Sequence, residues 1–97
     1  MYFITLIKVQ KGKMIRKRCV GYTKTFEEAE GIVLKNEYDI FDKTYNYAII
    51  EKINCGIYQY DVNAAWYRMD HAITDVSKME KAPDFARGVV GFAIGGC

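Results

Sequence analysis

The chain has 97 residues, of which 51% are hydrophobic and 14% aromatic, with a formal net charge of +2 and a single proline. Apolar content this high with so little net charge excludes a disordered chain, and the length leaves no room for a second domain, so residues 1–97 are expected to form one globular unit. Cys19, Cys55 and Cys97 form an odd set without a short-spaced pair. That pattern argues against a disulfide framework and a zinc knuckle and suits a reducing cytoplasm.

The start, "MYFITLIKVQ", lacks a basic leader and a small-residue cleavage site. It carries a strand pattern instead. Tyr2 to Val9 is rich in aromatic and β-branched residues, "QKGK" supplies a turn, and Met14 to Tyr22 completes a predicted β-hairpin. Thr25 followed by Glu28 is a capping-box pattern, and Phe26, Ala29, Ile32 and Val33 recur on one stripe, which predicts a helix from Phe26 to Asn36. Gly31 within it costs ~1 kcal/mol relative to alanine, so close packing against a strand is expected there.

"EYDIFDKT" turns the chain. Tyr45 to Ile53 then has apolar residues on both faces and is expected to lie centrally in the sheet. "NCG" is a turn, and Ile57 to Tyr60 with Ala65 to Met69 continue as strand material broken near "DVNA". Asp75 to Met79 is a short strand, Pro83 opens a short helix running to Arg87, and Val89 to Ile94 forms a last strand or an extended arm. The order β-β-α-β-β predicts an α+β fold: an antiparallel sheet with one main α-helix packed on a face and a short C-terminal helix or strand.

Charge is distributed unevenly. Residues 1–26 carry Lys8, Lys11, Lys13, Arg16, Lys17, Arg18 and Lys24 without an acid, whereas residues 27–97 have a net charge of −5. A basic end on an acidic body attracts anions locally or pairs with the flank of another subunit. The hairpin "KVQKGKMIRKR" would grip phosphates, or it is a solvated edge whose charges prevent strand-to-strand aggregation. A long polyanion would be repelled by the acidic body, and the helix "TFEEAEGIVLKN" carries three glutamates. A small anion suits this layout better than nucleic acid.

The tail "GVVGFAIGG" matches neither a dinucleotide fingerprint nor a P-loop, and its nine uncharged residues are about half of the ~18–20 that span a bilayer. Glycines there suit a strand that another backbone approaches closely. His71 is the only histidine and has no nucleophile at a meaningful spacing, so neither enzymatic activity nor a metal site is expected. Trp66, Tyr67 and Arg68 stand together, with Arg87 and Phe92 downstream, and combine flat faces with guanidinium forks suited to a nucleotide.

Several stretches taken together carry a resemblance: "RCVGYTKTFEEAEGIVLKNEYDIFDKTYNYAIIEKINCGIY", "WYRMD" and "KAPDFARGVVGFAIG", spanning residues 18–95. They resemble the first-described Thoeris anti-defence proteins of phages and prophages, sponges for cyclised ADP-ribose signals made by bacterial immune enzymes. The resemblance implies a single ligand-binding domain that binds without turnover and without a cofactor. It also implies homo-oligomers, dimers or higher, holding a cyclic ADP-ribose isomer or a cyclic oligonucleotide where subunits meet in the host cytoplasm. On matching motifs and chemistry, Arg18, Arg68 and Arg87 are expected at the pyrophosphate, Trp66, Tyr67 and Phe92 at the base, and Asp39 at ribose hydroxyls. The chain departs from the family pattern in its final "GGC" and in "VGFAIG" where "FGIG" is expected. The competing expectation is a small viral inhibitor or adaptor that covers a protein of a bacterial defence system.

Overall fold

The structure is a computed structural model that describes residues 1–54, 57–58, 64–86 and 92. Its elements are β1 (Tyr2–Gln10), β2 (Lys13–Thr23), α1 (Phe26–Leu34), β3 (Tyr47–Asn54), β4 (Ile57–Tyr58), β5 (Ala65–Asp70) and β6 (Asp75–Met79). The sheet is antiparallel with strand order β2-β1-β3-β5-β6, and the two-residue β4 pairs with the end of β3. One main helix packs on a face, as the α+β expectation required.

Each element has a local cause. Lys11 (φ 53°) and Gly12 (φ 75°) both adopt the left-handed region, the two-residue hairpin turn that matches the twist of its strands. The register of the hairpin shifts between Ile4 and Thr5, opposite Gly21 at φ 149°, where a side chain would be strained. At the helix start, Thr25 Oγ1 accepts from the Glu28 amide at 3.2 Å and bonds to Glu28 Oε1 at 3.0 Å, completing the capping box. The helix stops at Leu34 rather than Asn36, because Asn36 takes φ 48° and its side-chain oxygen instead accepts the Phe41 amide at 3.1 Å. Asn46 extends the β1–β3 ladder with its side chain, accepting from the Val9 amide at 2.9 Å and donating to the Val9 carbonyl at 3.0 Å.

β3 lies between β1 and β5, the central position expected from its two apolar faces. The Ile57 and Ala65 stretches are separate strands: β4 pairs with β3 at Ile53 and Asn54, while β5 pairs with β3 from Tyr47 to Ile50. Pro83 opens a short 3-10 turn, Asp84–Ala86. The expected last strand, Val89 to Ile94, and Arg87, Cys55 and Cys97 lie outside the described residues, Phe92 excepted.

Alternation along the strands divides the core in two. On the helix face, Ile4, Leu6, Ala48, Ile50, Tyr67 and Met69 pack with Ala29, Val33, Phe41 and Tyr45. On the other face, Ile7, Ile49 and Trp66 pack with Phe92 and with the partly buried Tyr47, Met79, Phe85 and Ala86.

The expectation for Gly31 is overturned: a methyl group placed there meets no atom within 4 Å. No backbone approaches that site, so the glycine retains only its entropic cost in a helix. Gly31→Ala is expected to stabilise the chain by about 0.5–1 kcal/mol, read as a rise of roughly 2–8 °C in thermal midpoint.

Candidate functional site

Strand register assigns each residue expected to bind ligand to a face. On the face away from the helix, one row across the sheet runs Lys17, Ile7, Tyr47, Arg68, Ser77. The next runs Cys19, Thr5, Ile49, Trp66, Met79, and a third holds Tyr22, Phe3 and Glu51. Successive residues of a strand point to opposite faces, so Tyr67 is separated from Trp66 and Arg68. Its ring is buried under the helix, where Tyr67 Oη donates to Glu30 Oε2 at 2.6 Å. Lys78, opposite Tyr67 in register, reaches the same Oε2 at 3.1 Å, and its ammonium lies 5.2 Å from the Phe26 ring centroid.

The other expected residues are also dispersed. Arg18 pairs with Leu6 and therefore occupies the helix face, exposed on the edge strand β2. Three strand spacings separate it from Arg68, roughly 14 Å, with the sheet between their side chains. Asp39 is exposed in the loop after the helix, where its Oδ1 accepts from Asn36 Nδ2 at 3.3 Å. Trp66 is only 4% exposed: the edges of Phe85 and Phe92 meet it with ring centroids 5.5 and 5.3 Å away. Trp66 and Phe92 do come together, as core partners. Of the three residues expected at a base, Trp66 and Phe92 thus share one face and Tyr67 lies on the other.

Arg68 is exposed in an open groove of about 490 Å³ at the β6 edge, lined with Ser77, Met79, Glu80, Lys81 and Ala82. Two cations against one carboxylate, beside a serine hydroxyl, favour an anion there. Tyr47 is half-buried next to Arg68 in its row, and the Phe85 ring packs on it at 5.2 Å between centroids. An arginine on a short aromatic strand signalled this site; Lys81, beyond the next strand, carried no comparable mark.

A second constellation went unnoticed in the sequence. Glu51 is a buried carboxylate, 3% exposed, in the middle of the apolar β3. It accepts the Phe92 amide at 3.0 and 3.3 Å through its two oxygens, while Lys17 Nζ donates to the Phe92 carbonyl at 3.2 Å. The available signal was the charge itself, two residues from Ile49 and hence on the same inward face of "AIIEKIN". Thr5, in the row between those of Lys17 and Glu51, is wholly buried, and its hydroxyl has no hydrogen-bond partner among the described residues.

His71 Nε2 donates to the Tyr45 carbonyl at 2.7 Å, a structural tie between the loop after β5 and the loop before β3. Among the described residues, no group of three His, Cys, Asp or Glu side chains is placed to hold a metal ion, and no helix is long and apolar enough to cross a membrane. The chain matches no family model, no curated protein and no solved structure.

The hydrogen bond from Tyr67, assisted by Lys78, holds Glu30 below its ordinary pKa of 4.5, and burial together with Glu30 pushes Tyr67 above its ordinary 10.0. A lowered carboxyl pKa contributes stability that is present above 4.5 and lost as pH falls through the folded-state value. Tyr67→Phe is therefore expected to cost about 1–2 kcal/mol at neutral pH. In urea titrations its deficit should shrink as the pH is lowered through that window; a deficit constant with pH would refute the assignment. Thr5→Val removes an unpaired buried hydroxyl at nearly constant volume and should raise stability by about 1 kcal/mol in the same titrations at neutral pH.

Proposed function

We propose that the protein is a non-catalytic binder that sequesters a cyclic ADP-ribose or related cyclic nucleotide signal, with its pyrophosphate on Arg68 and Lys81 and a second copy of the chain closing the groove. The observation that carries this reading is the groove itself: about 490 Å³, with Arg68, Lys81 and Ser77 around one carboxylate, Glu80. That volume lies in the range of small-molecule sites. Two cations suit a pyrophosphate, and the neighbouring rings of Tyr47 and Phe85 offer apolar surface for a base. Resemblance to the Thoeris anti-defence sponges supports the same ligand class. A sponge must hold its signal at nanomolar level, about −12 kcal/mol, which calls for enclosure on more sides than this groove supplies. A symmetric pair of subunits would supply it.

One feature favours the second reading, a protein-covering adaptor. Met14, Ile15 and Tyr22 are exposed, at 38%, 56% and 59%, along the edge strand β2 among its cations. An acidic partner adding a strand there would use both the edge, unpaired among the described residues, and the charge.

Incubation with cyclic ADP-ribose isomers, removal of free ligand, heat release and mass analysis separate the readings. The expected result is intact ligand retained by the wild-type chain and at least about tenfold weaker retention by Arg68→Ala. Chemically altered ligand would make the protein an enzyme. Absence of capture with protein in excess would overturn the sponge reading, and unchanged retention by Arg68→Ala would move the site elsewhere.

A further inference from the structure

Register sorts the cations of the hairpin by face. Lys8 pairs with Arg16 and Leu6 with Arg18 in one unbroken stretch of the β1–β2 ladder. Leu6 belongs to the core on the helix face, so Lys8, Arg16 and Arg18 share that face. Arg16 stands directly opposite Lys8, and Arg18 is the diagonal neighbour of Lys8, within reach of a long side chain. Like charges opposed in this way destabilise the strand pair. No acid occurs in residues 1–26, and no hydrogen bond or ion pair engages any of the three cations among the described residues. Protection of a sheet edge is sufficient for an arginine on β2, but Lys8 lies on the inner strand β1, where there is no edge to protect. The other face of β2 is different. Met14 pairs with Val9, which packs in the core away from the helix, and Tyr22 pairs with Phe3 with ring centroids 5.3 Å apart. Both Met14 and Tyr22 are exposed, and between them on this face stand the half-buried Lys17 and Cys19. Lys17 is engaged with the Phe92 carbonyl. Among the described residues β2 pairs with β1 alone, so its outer side has cations on one face and exposed apolar groups at both ends of the other.

Side chains two apart on an extended segment share a face and repeat at about 6.8 Å, which is also the spacing of Arg16 and Arg18. A strand laid along β2 with acids at alternate positions would set carboxylates beside both arginines, one of them also within reach of Lys8. Its intervening residues would turn to the face of Met14 and Tyr22. Guanidinium forks orient a carboxylate as well as attract it. Nucleic acid suits the surface less well, because phosphates make no use of the apolar face and residues 27–97, with a net charge of −5, repel a long polyanion. We infer that the outer edge of β2 is a docking surface for an extended acidic polypeptide segment, alternating acidic with apolar residues, that adds a strand beside residues 16–19. The cations that keep basic strands off this edge admit a strand of opposite charge, so one device excludes and selects. The inference rests on the covering reading of β2, to which it gives a partner chemistry, and is independent of the nucleotide groove.

The test titrates the full-length chain into a blocked, fluorescent peptide of roughly seven residues that alternates glutamate with valine, and follows anisotropy. Saturable binding that weakens as salt is raised is expected. Binding should be at least about tenfold weaker when threonine replaces glutamate, and when the glutamates are grouped at one end of the peptide. The double variant Arg16→Gln, Arg18→Gln should lose at least about tenfold in affinity for the alternating glutamate peptide. Lys8→Gln relieves the opposed pair, so it should raise the thermal midpoint of the free chain by about 1–5 °C and yet weaken the peptide, a combination that a merely structural lysine would not produce. Absence of saturation by either alternating peptide up to about 1 mM, on a chain with native circular dichroism, overturns strand addition at β2 and the covering reading with it. Equal binding of the threonine peptide leaves a covering edge and overturns its acidic partner. Unchanged affinity of the double arginine variant overturns the location. Tighter binding of an oligothymidylate of equal charge overturns the polypeptide in favour of nucleic acid.

Discussion

A five-stranded sheet with apolar side chains on both faces needs two covers, and the described part of this chain provides one helix longer than a single turn. That shortage governs the architecture. The helix face is closed by α1 and by Phe41 and Tyr45 of the following loop. The other face is closed by two aromatic residues from the C-terminal part of the chain, Phe85 and Phe92, which meet Trp66 edge-on. Edge-to-face contact between rings is worth ~0.5–1.5 kcal/mol beyond the area it buries. Phe92 is further fixed by charged side chains at its amide and carbonyl, bonds of a kind stronger than neutral ones. Burying Glu51 is costly unless its oxygens are bonded, and the Phe92 amide is one group that bonds them.

Much of this was legible from local rules. Aromatic and β-branched runs about a turn located β1 and β2, apolar residues on both faces located the central β3, and Thr25 with Glu28 located the helix start through a bond that the structure contains. Asp75 to Met79, read as a short strand, forms β6. At "WYR" adjacency in sequence does not give adjacency in space. "WYR" looks like a single cluster, yet on a strand its middle member faces the helix and joins Glu30, thirty-seven positions away. Arg18 and Arg68 look like equivalent cations, but their registers place them on opposite faces. No local rule reports such placement, because it depends on which strands pair. Gly31 misled differently: a helical glycine suggests a close approach, and here no approach exists.

Electrostatics follow the same topology. The basic hairpin falls on an edge of the sheet, where lysine and arginine keep unpaired backbone groups from templating another chain. Most of its cations therefore have a sufficient structural role without any ligand. Lys17 is the exception, since it turns inward to the Phe92 carbonyl. Arg68 differs again: it projects from the inner strand β5 into a groove bordered by β6, where a cation has no edge to protect. Position within the sheet, more than the count of charges, separates a cation available to an anion from one that guards an edge.

Trp66 connects the two constellations. In register it sits beside Met79 of the groove, while its ring carries both Phe85 and Phe92. Phe85 in turn packs on Tyr47, the neighbour of Arg68. From Phe92 to Tyr47, the register neighbour of Arg68, the rings touch in three successive pairs: Phe92–Trp66, Trp66–Phe85 and Phe85–Tyr47. Interiors packed at this density transmit displacement instead of absorbing it. Trp66 therefore stands between the aromatic cover of that face and the strand that borders the groove, so the packing of Phe85 and Phe92 and the position of Met79 depend on one indole.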